Sequence, residues 1–249
     1  MEPVIQLALD FVDLPRALKV AKEAYNAGIR WIEAGTPLIK SCGIESVRIL
    51  RKEFPDAKII ADMKVMDTGR VEAEIGFKAG ADIVVVMGNS SDQTIRESVE
   101  AAENYGGQIM VDLMEESANI DRAKEVEKLG IHYIGVHIPI DEQMTGNISF
   151  SFLKEVVKNV KVPVAIAGGL NSENIVDAVK AGASILIVGG AITKSENVKE
   201  AVERLKKAMK TKVPVPTILY KRVKEEQVKK VFEIVSTANI SDALHRKGW

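Results

Sequence analysis

The sequence is poor in cysteine, aromatic residues and net charge, and each scarcity excludes a class of protein. One cysteine, Cys42, among 249 residues excludes an intramolecular disulfide framework and a multi-cysteine zinc site, and it is typical of a reducing compartment. Aromatic residues make up 5% and show no base-stacking pattern. The 34 Lys/Arg nearly balance the 35 Asp/Glu, which gives no electrostatic footprint for binding nucleic acid or a membrane surface.

Long apolar runs are missing as well. No run approaches the roughly 18 uninterrupted apolar residues of a membrane helix. The first residues, with Glu2 and Pro3, do not have the basic-then-apolar pattern of a signal peptide. Hydrophobic residues make up 46% and charged residues 28%, a globular composition. We therefore expect a cytoplasmic protein without a membrane or nucleic-acid partner.

Short apolar, β-branched runs recur along the first part of the chain, and most are followed by apolar residues at helical spacing. The runs are Val4–Leu9, Trp31–Glu33, Lys58–Met63, Asp82–Met87, Gln108–Asp112, His132–Val136, Val164–Ala167 and Ile185–Val188. This pattern predicts an α/β protein with a (β/α)8 TIM barrel. A doubly wound open sheet is the alternative, but its glycine-rich turn is absent from Leu9–Asp13.

Ionisable residues stand at the carboxyl ends of the predicted strands, where barrels of this kind place their functional groups. They are Asp10, Glu33, Asp62, Lys64, Asp112 and His137. Because buried charges are costly unless they are paired or metal-bound, we interpret this ring as an active site. Asp62 and Lys64 are expected on one face of an extended strand, whereas Asp67 lies beyond it in the loop.

Glu33 and Asp62 are hard oxygen ligands on neighbouring strands. Two carboxylates completed by water and substrate oxygens suit Mg²⁺, and no His/Cys cluster indicates zinc. The alternative is that both carboxylates simply pair with Lys64. His137 precedes a polar loop that contains Asp141, and its imidazole is suited to proton transfer near neutral pH. The alternative for His137 is a bond to loop backbone.

Two glycine pairs, Gly168-Gly169 and Gly189-Gly190, follow the seventh and eighth predicted strands. Barrels commonly bind phosphate there, because glycine lets backbone N–H groups approach the anion. A tight turn would explain either pair alone. The two pairs together predict a phosphate-binding subsite.

These residues jointly resemble the 3-hexulose-6-phosphate synthase family, which belongs to the orotidine-monophosphate decarboxylase suprafamily of barrels. The likeness covers about residues 4–210. It is carried by Asp10, Ile32–Leu38, Ala61–Asp67, His137 with Asp141 and Gln143, Ala167–Gly169 and Val188–Thr193. The DxKxxD element within Ala61–Asp67 alone would identify only the suprafamily.

The resemblance implies a reversible, Mg²⁺-dependent aldol addition of formaldehyde to ribulose 5-phosphate, which gives 3-hexulose 6-phosphate. Glu33 and Asp62 would hold the metal. His137 would remove a C1 proton, and Lys64 would help the metal to stabilise the enediolate.

The resemblance also assigns substrate contacts and a partner. Asp10 and Asp141 would bind the sugar, and the glycine pairs would take its phosphate. Asp67 would reach the site of the partner subunit, which implies an obligate homodimer.

The closest alternative is 3-keto-L-gulonate-6-phosphate decarboxylase, which has the same scaffold and metal pair. That family places an arginine three residues after the histidine, where this chain has Ile140. This departure argues against a decarboxylase. Orotidine-monophosphate decarboxylase needs no metal and would leave Glu33 and His137 without a role. A phosphosugar isomerase on the same barrel is a more distant alternative for the function.

The composition changes at Val213–Pro216, whose alternating prolines favour an extended connector. After residue 210 the chain contains eight Lys/Arg and four Asp/Glu, so this part carries a net positive charge. We therefore predict a barrel over 1–212, and over 213–249 a linker with the truncated start of a second domain. Glu225–Val235 has a helical pattern, and 232–245 resembles the opening helices of the regulator-of-ribonuclease-activity family. The non-enzymatic alternative is a scaffold whose basic tail binds a protein partner, although such a run is usually a solvated helix face.

Overall fold

A computed structural model of the chain describes residues 2–114, 118–138, 149–217, 233–236, 238–239 and 241–242. Asp141, Ile140 and most of the tail lie outside these residues. Only 233–235 of the helix predicted over 225–235 are described, and they form a turn. The chain divides into two compact units, Met1–Thr217 and Ile218–Trp249. The identity of residues 213–249 as the start of a second domain stays a prediction.

Eight parallel strands close into a barrel in chain order. They are β1 (Val4–Leu9), β2 (Trp31–Ala34), β3 (Lys58–Val65), β4 (Ile83–Met87), β5 (Gln108–Leu113), β6 (Tyr133–His137), β7 (Val164–Ala167) and β8 (Ile185–Val188). The predicted (β/α)8 TIM barrel is confirmed. The short apolar runs in the sequence indicated the strands, because parallel strands that are covered on both faces consist almost entirely of apolar residues.

Helices cover the outside of the barrel. They are α1 (Leu14–Asn26), α2 (Thr36–Cys42), α3 (Glu45–Glu53), α4 (Gly69–Lys78), α5 (Asp92–Tyr105), α6 (Ile120–Glu127), α7 (Ser151–Asn159), α8 (Ile175–Lys180), α9 (Gly190–Thr193) and α10 (Val198–Thr211). Side-chain caps fix several starts, as at α1, where Asp13 Oδ1 accepts from Arg16 N at 2.8 Å. No helix in the described ranges has the length and apolar content of a membrane span.

The barrel interior is apolar at the amino ends of the strands and polar at their carboxyl ends. A buried cluster joins Ile60, Ile83, Val85, Met110, Tyr133, Ala165 and Ile185, with Val4, Trp31 and Ile187 packed against it. Side chains alternate along a strand, so the residues two positions further on also point inward. On β1, β2, β3 and β5 these are Gln6, Glu33, Asp62 and Asp112, all buried. The alternation therefore places a polar layer directly above the apolar one.

Strand β3 is irregular at Lys64. Its pairing with β4 shifts register between Ala61 and Val65, and Lys64 has a φ of 49°, in the left-handed region that non-glycine residues rarely adopt. The sequence predicts regular alternation here. Asp62 and Lys64 do lie together, but a bulge rather than an extended strand brings them together.

Candidate active site

Lys64 links two acidic residues from different strands at the carboxyl end of the barrel. Its Nζ lies 2.9 Å from Asp112 Oδ2 and 3.3 Å from Asp62 Oδ1. Burial works against the charge of the ammonium group, but the carboxylates of Asp62 and Asp112 outweigh it and raise the pKa of Lys64. Lys64 is therefore a fixed positive charge in the barrel mouth.

Asp112 also holds His137. The imidazole Nδ1 lies 3.3 and 3.2 Å from the two carboxylate oxygens of Asp112. Burial would raise the pKa of Asp112, but His137 and Lys64 together lower it to about 2. Because a carboxylate only accepts, Nδ1 of His137 is the donor, which leaves Nε2 as the nitrogen that can take up a proton.

Glu33 and Asp62 form a buried pair of carboxylates. Burial raises the pKa of Glu33 well above its usual value, and the charge on Asp62 raises it further. Gln6 Nε2 donates to Glu33 Oε2. The Thr36 hydroxyl donates to Asp62, with its Oγ1 2.7 Å from Oδ2 and 2.8 Å from the backbone O. Each carboxylate is thus oriented by a neutral side chain, and the closeness of the two buried acids disfavours the negative charge on Glu33.

This arrangement fits a divalent cation. Asp62 Oδ1 is buried and accepts no hydrogen bond from the described residues, although Lys64 lies beside it. Within the same residues, the ion pairs of Lys64 are with Asp62 and Asp112 rather than with Glu33. No group of three or more His, Cys, Asp or Glu side chains in the described part of the chain has the geometry of a metal site. A cation held by Glu33 and Asp62 would therefore draw its other ligands from water and substrate.

Asp10 lies at the rim over two glycines. A Cβ added at Gly35 would be 2.3 Å from Asp10 Oδ1, so this carboxylate occupies space that only glycine leaves open. A Cβ at Gly189 would lie 3.5 Å from Asp10 Oδ2. Asp10 is exposed as a residue, yet shielding of its carboxylate by the barrel wall, with the nearby charge of Asp62, raises its pKa. Asp10 therefore belongs to the same acidic cluster.

The glycine pairs occupy the loops after β7 and β8. Gly168 and Gly169 have φ values of 105° and 65°, so this double bend requires glycine. Asn174 Nδ2 donates to Gly169 O at 3.0 Å. Gly189 precedes the short helix α9, and Gly190 is its first residue. Both pairs lie at the mouth that holds the acidic cluster, since β7 and β8 are parallel to the other strands.

Comparison with known proteins places this site in a family. The profile of the orotidine 5'-phosphate decarboxylase / HUMPS family matches residues 3–205. The chain belongs to this family. It is similar to the 3-hexulose-6-phosphate synthase of Bacillus subtilis (strain 168), with 38% identity over 205 residues, 81% of this chain and 96% of that protein.

Solved structures show the same likeness. A crystal structure of 3-hexulose-6-phosphate synthase matches with a TM-score of 0.76 and 35% identity, covering 82% of this chain and 99% of that one. A crystal structure of KGPDC from Streptococcus mutans matches with a TM-score of 0.76 and 28% identity. The match covers 84% of this chain and 98% of that one. The curated relatives named 3-hexulose-6-phosphate synthase and the matching structure mark this member of the HUMPS family as an enzyme, a lyase.

Two of the predicted site residues are not placed in the cluster. Asp67 is exposed in the loop after β3, where its Oδ1 accepts from Thr68 N at 2.7 Å. Asp141 lies outside the described residues. The other predicted residues of this HUMPS-family site meet at the carboxyl ends of the strands.

The structure adds residues and contacts that were not predicted. Asp112 was recognised at the rim, but its bridge between Lys64 and His137 depends on the positions of β3, β5 and β6. Gln6 and Thr36 carry no charge, and neither was assigned a role, although Thr36 lies within the Ile32–Leu38 segment of the family resemblance. The inward alternation from Val4 to Gln6 is the one signal that was available for Gln6.

Proposed function

We propose that the chain catalyses the Mg²⁺-dependent aldol addition of formaldehyde to ribulose 5-phosphate and its reverse. One observation carries this proposal: Glu33, Asp62, Lys64, Asp112 and His137 meet at one mouth of a barrel that is 38% identical to a 3-hexulose-6-phosphate synthase. The site combines a carboxylate pair for a cation, a fixed ammonium group and an oriented imidazole. Those are the groups that proton abstraction beside a carbonyl requires.

In the proposed reaction, each of these residues has a separate role. His137, oriented by Asp112, takes the C1 proton of ribulose 5-phosphate on Nε2. The Lys64 ammonium group stabilises the negative charge that develops on the resulting enediolate. The enediolate C1 then attacks the carbon of formaldehyde. The new alkoxide takes a proton from Nε2 of the protonated His137, and this transfer forms the hydroxyl group of the product and restores the neutral imidazole. In the reverse direction the same bond breaks and formaldehyde leaves.

Glu33 and Asp62 would hold the magnesium ion. When bound, the ion would polarise the sugar oxygens and offset the negative charge of the carboxylate pair. Asp10 and Asp141 contact the sugar hydroxyl groups in this proposal. The backbone around Gly168-Gly169 and Gly189-Gly190 takes the phosphate.

A decarboxylase is the second candidate, because KGPDC from Streptococcus mutans shares the fold at a TM-score of 0.76. The two activities are distinguished by offering the purified chain each substrate separately with Mg²⁺. We expect hexulose phosphate from ribulose 5-phosphate plus formaldehyde, and little CO₂ from 3-keto-L-gulonate 6-phosphate. Faster release of CO₂ than formation of hexulose phosphate would reverse the assignment.

We also propose a homodimer in which Asp67 completes the partner's site. Asp67 is exposed, and the apolar residues Met66, Val71 and Ile75 near it are exposed by 50%, 59% and 39%. Clustered exposed apolar side chains support a protein interface at this place. A second copy of the chain would cover them.

Mixing two inactive variants tests whether sites are shared. In a hybrid of Asp67→Ala and Lys64→Ala subunits, one of the two sites keeps both residues if Asp67 acts across the interface. Random pairing makes half the dimers hybrid, so about a quarter of wild-type activity should return on co-expression. Activity no higher than that of the separate variants would place Asp67 in its own subunit's site or outside any site.

Replacing Thr36 by valine should weaken metal binding. The change keeps the shape of the side chain but removes the hydroxyl that donates to Asp62 Oδ2. Loss of such an orienting bond typically lowers metal affinity by about 10- to 100-fold. Titration with Mn²⁺, followed by electron paramagnetic resonance, measures this directly, and Thr36→Ser is the matched control because it retains the hydroxyl. Equal affinities for all three proteins would contradict the orienting role.

A further inference from the structure

The residues after α10 lie along the barrel, beside the loop that follows β7. We define this connector as residues 213–217. Val215 N donates to Ser172 O at 2.8 Å, and Thr217 N donates to Glu173 Oε1 at 3.0 Å. Val215 also packs against the main hydrophobic core. The connector is thus bound to the β7–α8 loop, residues 168–174, through two consecutive loop residues.

The same part of the connector is also bound by α10. Arg204 Nη1 donates to Pro216 O at 3.1 Å. Arg204 also forms an ion pair with Glu200 on the same helix. The prolines at 214 and 216 restrict the backbone of the segment, which reduces the entropy lost on docking. The connector is therefore held by the β7–α8 loop and by α10.

Hydrogen bonds inside the β7–α8 loop continue from Glu173 to the glycine pair. Glu173 N and Asn171 N donate to Asn171 Oδ1 and Asn174 Oδ1, respectively, both at 2.8 Å. Asn174 Nδ2 then donates to Gly169 O at 3.0 Å. Glu173, which the connector binds, is therefore next in sequence to Asn174, which binds Gly169.

We propose that Glu173, bound by the connector, is a positioning residue for the phosphate subsite. The inference rests on the proposed function, in which Gly168 and Gly169 bind the substrate's phosphate. Both glycines have positive φ values, and a loop of this kind can adopt several backbone conformations unless other contacts select one. The Thr217–Glu173 bond selects the conformation in which Asn174 reaches Gly169. The connector lies beyond residue 205, where the match to the family profile ends.

Two substitutions in the full-length chain separate anchoring from charge. Glu173→Ala removes the acceptor for Thr217 N together with the negative charge, whereas Glu173→Gln removes only the charge. If anchoring matters, Glu173→Ala should raise the KM for ribulose 5-phosphate and the inhibition constant of inorganic phosphate about tenfold, with kcat within about twofold of wild type. Glu173→Gln should remain close to wild type. An unchanged or lowered KM in both variants would overturn the proposal, because Glu173 would then not support phosphate binding. An equal rise in both variants would also overturn it, because the carboxylate would then act only through its charge.

A second pair of variants tests the connector itself. Val215→Pro removes the N–H that donates to Ser172 O, and Val215→Ala keeps it. We expect faster hydrogen–deuterium exchange in residues 168–174 for Val215→Pro and Glu173→Ala than for Val215→Ala and Glu173→Gln. Equal exchange in all four would overturn the proposal. This readout does not need turnover, so an inactive wild-type chain with the expected exchange pattern would refute the proposed function while leaving the anchoring intact.

Discussion

Asp62→Ala should lower the aldol rate by about three orders of magnitude or more and remove its dependence on Mg²⁺. Asp62 is buried, lies 3.3 Å from the Lys64 ammonium group, and its charge raises the pKa of Glu33, the proposed second metal ligand. On the proposed function, its loss would remove one of two protein ligands from the cation, and with it the stabilisation of charge in the transition state. Steady-state rates over a Mg²⁺ titration measure both effects.

The matched control is Asp56→Ala, since Asp56 is an exposed acid outside the site. We expect wild-type rates and the wild-type Mg²⁺ dependence for this control. If Asp62→Ala turns over at the wild-type rate in the presence of a chelator, Asp62 is not a metal ligand.

His137→Asn should stop exchange of the C1 proton of ribulose 5-phosphate with solvent. Asparagine can still hydrogen-bond to Asp112, but its amide does not accept a proton at neutral pH. Loss of a general base typically costs about 10²- to 10⁴-fold. The exchange is followed in D₂O by proton NMR without formaldehyde, so it reports the first proton transfer alone.

His132→Asn serves as the control for this experiment. His132 precedes β6 at its amino end, and its Nδ1 accepts from Ile109 N at 3.1 Å, away from the barrel mouth. This variant should exchange the C1 proton at the wild-type rate. Undiminished exchange in His137→Asn would show that another group is the base.

The fold was predictable because the barrel repeats one simple pattern. Each strand lies between the barrel interior and a helix, so most of its residues are apolar, and an amphipathic helix usually separates it from the next strand. Val4–Leu9, Val164–Ala167 and Ile185–Val188 were predicted with their observed limits. The sequence alone does not fix the start of α8, because Asn171 accepts hydrogen bonds within a turn and the helix begins only at Ile175.

The charged part of the site was predictable from position alone. Asp10, Glu33, Asp62, Lys64 and His137 stand at strand ends, and a parallel barrel brings those ends together. Their hydrogen-bond partners were not predictable. Thr36 meets Asp62 across 26 residues of sequence, and such contacts depend on the register between strands rather than on local pattern.

The bulge at Lys64 was also beyond sequence reasoning. A lysine has no intrinsic preference for φ of 49°, so nothing in Asp62-Met63-Lys64 indicates it. The two carboxylates that bind Nζ stabilise this conformation, and one of them, Asp112, is 48 residues away. Tertiary contacts thus select a backbone conformation that local propensity disfavours.

The aldol reaction depends, in our proposal, on side chains from separate strands that together surround a divalent cation. The most direct test is the rate of 3-hexulose 6-phosphate formation from ribulose 5-phosphate and formaldehyde by the wild-type chain, measured with Mg²⁺, after chelation, and after Mg²⁺ is restored. We predict rapid formation, near-complete loss and full recovery. Turnover that persists in the chelator, or no product at any Mg²⁺ concentration, would contradict it.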